Sequence, residues 1–143
     1  MGFFDVKGPE DKWKERFYKE LKSWGVDEKD VIYRKTVIGH VVAIPFVTKK
    51  GRKYFIRLVI GTDNTNYVYV GKKIDHTLEN LERINDLNVK YLNLTFALID
   101  DGLIMRSIVI DDLETTSVVS FMRDMARIAA QEFPAFPDKI KSK

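Results

Sequence analysis

The stretch from Thr77 to Ile110 limits the possible folds of this chain more than any other. A helical pattern, LENLERINDLN, runs directly into YLNLTFALI, then DDG, then LIMRSIVI. In the first part Leu78, Leu81 and Ile84 recur at helical spacing, with Asn85 and Asn88 close to the same face. The second part alternates at the period of a strand and turns back on itself, as a β-hairpin does. Asp75 or Thr77 is the expected N-cap, and Glu79 and Glu82 suit the positive end of the helix. An amide on an apolar face is costly unless it is hydrogen-bonded, so Asn85 and Asn88 are expected to tie the helix end to the hairpin.

The hairpin register follows from its side chains. A three-residue loop, Asp100-Asp101-Gly102, with Gly102 left-handed, pairs Leu98 with Ile104, Leu94 with Ile108 and Leu92 with Ile110. That register gathers apolar pairs on one face, and its cost is Arg106 opposite Phe96.

Upstream, residues 31–70 are rich in β-branched and aromatic types, with breaks at Gly39, at KKGR and at residues 61–66. Four strands are predicted near 31–37, 40–48, 53–60 and 67–71, joined as a meander because the connections are too short for parallel crossovers. Pro45 cannot donate to a ladder, so its strand should be at an edge or bulged there. A first helix opens at Gly8-Pro9, carries Trp13, Phe17, Leu21 and Trp24 as one stripe, and ends at Gly25. A last helix runs from Thr115 or Thr116 to about Glu132, with Val118, Met122, Met125, Ala129 and Phe133 as its buried stripe, and Pro134 stops it. The tail AFPDKIKSK is expected to be loose. These elements make one α+β domain over 1–143, with an ordered core near 9–133 and the order α-β-β-β-β-α-β-β-α around an antiparallel sheet.

At 143 residues, 45% hydrophobic and 31% charged, the chain has the balance of a globular protein with a single core. No apolar run approaches a membrane span, and MGFFDVKGPEDK lacks a secretory core, so neither membrane insertion nor export is expected. The absence of cysteine excludes disulfides and suits a reducing compartment, with the cytoplasm as the expected location. The two histidines, His40 and His76, lack metal-ligand spacing, and no nucleophile elbow, phosphate loop or dinucleotide fingerprint is present. No catalytic residue, metal or cofactor is therefore assigned.

Charge is uneven. Residues 1–75 hold 16 Lys and Arg against 10 Asp and Glu, whereas residues 76–143 hold 8 against 11. The KKGRK turn concentrates Lys49, Lys50, Arg52 and Lys53, a candidate anion or nucleic-acid contact. Tyr67, Tyr69, Ile99 and Leu103 need not face the core and are candidates for a partner surface.

Three segments, the INDLN helix end within Leu81 to Asn88, FALIDDGLIMR from Phe96 to Arg106, and the last helix ending in Phe133, resemble the bacterial YbjN-like family. The element order from Trp13 to Phe133 resembles the type III secretion chaperone-like fold to which that family is similar. The resemblance implies a small non-enzymatic protein-binding module, chaperone-like or regulatory, often a homodimer. The chain departs from secretion chaperones, which tend to be acidic, in its sequence pI of about 9.0. A nucleic-acid-associated protein using the basic N-terminal half is the alternative expectation.

Overall fold

The computed structural model describes residues 12–140 apart from 38, 62–64, 101 and 111–116. The predicted first-helix start at Gly8-Pro9, the side chain of Trp13 and the expected start of the last helix at Thr115 or Thr116 lie outside the described residues. The elements are α1 (Lys12–Trp24), β1 (Ile32–Thr36), β2 (Gly39–Val47), β3 (Lys53–Gly61), β4 (Asn66–Lys73), α2 (Leu78–Lys90), β5 (Leu94–Ile99), β6 (Gly102–Ser107) and α3 (Val118–Glu132). All six strands pair antiparallel in one sheet, in the order β1-β2-β3-β4-β6-β5. The four-strand meander and the following helix, hairpin and helix thus have the order expected from sequence.

Strand alternation sorts the sheet into two unlike faces. Ile44, Ile56, Val70, Met105 and Phe96 are register partners across five strands, and all are buried. They pack with Phe17 and Leu21 of α1 and with Met122, Met125 and Ala129 of α3, so both helices cover this face. One position along, the row Ile32, Ala43, Arg57, Tyr69, Arg106 and Thr95 crosses all six strands on the opposite face.

The hairpin register differs from expectation by one residue. Ile99 pairs with Gly102 and Leu98 with Leu103, leaving two residues in the loop, so Phe96 faces Met105 rather than Arg106. A one-residue slip exchanges the faces of a strand. Here it sends Leu103 and Met105 inward and Arg106 out to solvent, which avoids burying a charge. Gly102 is consequently a strand residue with φ +139°, and a Cβ there would lie 2.4 Å from the Lys72 carbonyl oxygen and 2.6 Å from Ile74 N. Behind the hairpin, the Val68 N–H donates to Ser107 Oγ at 2.9 Å, and Asn66 exchanges two bonds with Ile110, donating from Nδ2 to its carbonyl and accepting from its N–H.

Pro45 lies in β2 between two neighbours, but β1 pairs only as far as Ala43. At Pro45 the sheet has a neighbour on the β3 side alone, so the missing donor is accommodated without a bulge.

The inward face of α2 is also not the predicted one. Asn80, Ile84 and Leu87 are buried, whereas Leu78 and Leu81 are exposed. Thr77 caps the helix by accepting from the Asn80 N–H at 3.1 Å, and Asn80 Nδ2 reaches back to the Asp75 carbonyl at 2.8 Å. These two bonds turn the first helical turn so that Asn80 points in.

The C-terminal residues pack rather than trail. Phe136 is buried, worth about 1.5–3 kcal/mol for a side chain of that size. Lys139 N donates to the Lys73 carbonyl, and Asp138 pairs with both Arg52 and Lys72. No helix among the described residues is long and apolar enough to cross a membrane.

Candidate interaction surfaces

Three surfaces bring chemistry-bearing side chains together. The first is the outward side of α2. At 3.6 residues per turn, Leu78, Leu81, Asn85 and Val89 fall within about 80° of arc, and Leu92 lies in the turn just past the helix end. Leu78 is 72% exposed, Leu81 45%, Val89 77% and Leu92 90%. An apolar stripe this open, on a helix that already buries a separate face, is the kind that normally meets a partner. Asn85 is therefore exposed at the centre of the stripe and does not tie α2 to the hairpin. Asn88 alone does so, through Phe96.

The second surface is the sheet face opposite the helices. Phe55, Tyr67 and Tyr69 stand there interleaved with cations. The Arg57 guanidinium lies 5.6 Å from the Phe55 centroid and 5.7 Å from that of Tyr69. Arg106 lies 5.5 Å from the Tyr67 ring and Lys53 5.3 Å from Phe55, while the two tyrosine rings are 6.1 Å apart. Burial, followed by the opposing field of Arg57, leaves the Tyr69 hydroxyl with a raised pKa. The six strands contain seven Lys and Arg and no Asp or Glu.

The third is a groove of about 680 Å³ between the β2–β3 turn, α3 and the tail. Two of its cations, Lys72 and Arg52, are already engaged. Lys72 Nζ donates to the carbonyls of Phe133 at 3.1 Å and Phe136 at 2.6 Å, and burial lowers its pKa. Arg52 holds Asp138 in a two-pronged pair, which keeps the Asp138 carboxyl well below its ordinary value. The arrangement fastens the tail.

The predicted basic cluster accordingly divides. Lys49 and Lys50 are exposed at the turn, Arg52 is committed to Asp138, and Lys53 joins the aromatic sheet face. Of the predicted partner residues, Tyr67, Tyr69 and Ile99 share that outer face, while Leu103 is in the core, 2% exposed, because of the hairpin register. Phe55, Arg57 and Arg106 escaped sequence reasoning. The signal available for them was the period-two spacing of Lys53, Phe55 and Arg57 and the lack of acidic residues in every predicted strand.

Among the described residues no three His, Asp or Glu side chains gather as a metal site, and His76 Nε2 donates to the Ile99 carbonyl at 2.8 Å. Compared with known proteins, the chain matches no family model, no curated protein and no solved structure.

Proposed function

We propose that the chain is a non-enzymatic, protein-binding module that works as a homodimer, with α2 as its self-association surface. The observation that carries this reading is the symmetry of the exposed stripe. Asn85 stands midway between Leu81 and Val89. Two copies of α2 packed antiparallel about a two-fold axis at Asn85 set Leu81 of one copy against Val89 of the other. An isologous contact needs just this self-complementarity. A single polar amide on the axis would select that register over shifted ones, as a lone Asn does in a coiled coil.

Strand addition at the neighbouring sheet edge is the competing way to dimerise, and Asn88 disfavours it by occupying the outward backbone groups of Phe96. A chaperone-like or regulatory role of the YbjN-like kind agrees with the element order and supplies no catalytic residues. The clustered ionisable groups Arg52, Lys72 and Asp138 are spent on fastening the tail, which favours a binding role over an enzymatic one.

Light scattering over a concentration series tests the reading. The unmodified protein should reach twice the monomer mass, and the double substitution Leu81→Glu with Val89→Glu, at two exposed positions, should hold it at monomer mass with native circular dichroism and a melting temperature that no longer rises with protein concentration. A wild-type protein that stays monomeric at high concentration refutes the dimer.

A further inference from the structure

We propose that the outer face of the sheet binds single-stranded nucleic acid, with bases stacked on Phe55, Tyr67 and Tyr69 and phosphates held by Arg57, Arg106 and the flanking cations. The site lies apart from the α2 stripe and does not depend on dimerisation.

Charge selects the occupant first. Arg34, Lys53, Arg57, Lys73 and Arg106 all belong to the outward set of their strands, and no strand supplies a carboxylate to offset them. A second copy of the same face would oppose like charges at its centre, at a cost of several kcal/mol. The occupant must be anionic.

Planarity selects between anionic partners. An acidic peptide needs cations but makes little use of rings. Here each central arginine is stacked: Arg57 lies between Phe55 and Tyr69, and Arg106 lies over Tyr67. From β3 through β4 to β6, Arg57, Tyr69 and Arg106 are register partners, so a ring stands between two guanidinium groups. Bases stack on both kinds of surface, and a sheet presenting two or three aromatics is a known platform for unpaired bases. A duplex hides its base faces, so the rings favour a single strand. Stacking also holds each guanidinium over a ring before a ligand arrives, reducing the ordering cost of a phosphate contact.

The test is fluorescence anisotropy with labelled oligouridine, oligothymidine and a duplex of equal length, at low and moderate salt. The expected result is single-strand binding that weakens with salt and a much weaker duplex signal. Ribose and deoxyribose arms report whether the sugar hydroxyl contributes. Tyr67→Leu with Tyr69→Leu keeps side-chain bulk and should weaken single-strand binding roughly tenfold or more. Arg57→Gln with Arg106→Gln should lower the salt slope by about 1.4, the value for two lost contacts to a single strand. Circular dichroism and melting temperature establish that both variants are folded. Lys49→Ser with Lys50→Ser, at the turn, should retain the dependence on the two tyrosines, and Leu81→Glu with Val89→Glu should retain single-strand binding. No binding at low salt overturns the proposal. So does equal affinity for the duplex, unchanged binding in both sheet-face variants, or polyglutamate binding as tightly through the same residues, which would mark an acidic-protein surface instead.

Discussion

The side-chain amide of Asn88 brackets the backbone of Phe96, accepting from its N–H at 2.7 Å and donating to its carbonyl at 2.9 Å. These are the two bonds a neighbouring strand would make. β5 is the last strand of the sheet, so one side chain from α2 stands in for a seventh strand and closes the edge where it is most apolar. The same contact fixes how α2 lies, and hence which of its faces remains open.

Asn88→Ala should therefore do two things. Losing both bonds and leaving two half-buried backbone groups unpaired should cost about 1–3 kcal/mol in urea unfolding. The exposed edge should also raise concentration-dependent aggregation, visible by light scattering. Asn85→Ala, three residues earlier and solvent-facing, should leave monomer stability within about 0.5 kcal/mol.

Gly102→Ala is expected to be among the most damaging single substitutions. The new Cβ would sit 2.4 Å from the Lys72 carbonyl oxygen at φ +139°, so β4 and β6 could not both keep their pairing. A loss of about 3 kcal/mol or more is expected, a fall of roughly 6–12 °C in Tm for a domain of this size. Gly51→Ala, at φ +83° with nothing within 4 Å of the new Cβ, should cost only about 1–2 kcal/mol.

Acid should release the tail through Asp138. The hydrogen bonds from Arg52 depress its folded pKa, so its stabilisation is fully present above the unfolded value of about 3.9 and is lost as pH falls below it. Tm followed from pH 6 down to about 2 should show this loss in the unmodified protein. In Asp138→Asn the melting temperature should start lower at neutral pH and the acid limb should be shallower. An identical acid limb in the two proteins would contradict the assignment.

Asn85→Leu should tighten self-association roughly tenfold or more by making the stripe continuous, and should broaden the mass distribution because the register is no longer selected. Sedimentation velocity separates these effects. A variant that remains a discrete dimer of unchanged affinity would place Asn85 away from the axis.

Local chemistry made much of the architecture legible from the sequence. Period-two runs and short polar breaks identify the antiparallel strands, and the spacing of Val118, Met122, Met125, Ala129 and Phe133 identifies α3 with its buried face. What stayed ambiguous was which side of a two-sided element faces inward. In α2 periodicity groups Leu78, Leu81 and Ile84, whereas the fold buries Ile84 with Leu87 and leaves Leu78, Leu81 and Val89 exposed. Only Asn80, bonded to Asp75, and Asn88, bonded to Phe96, decide between them. The hairpin loop was uncertain by one residue, enough to exchange Leu103 with Arg106 between core and solvent. The row of strand partners from β1 through β4 and β6 to β5 settles that choice, because every strand must offer its apolar side to the same helices. Arg52 and Asp138 are 86 residues apart, and no local pattern announces that they meet. Propensity and alternation act over a few residues and could be read from this chain directly. The inward faces, the docked tail and the aromatic-arginine surface arise from contacts between distant segments, which exist only once the sheet has assembled.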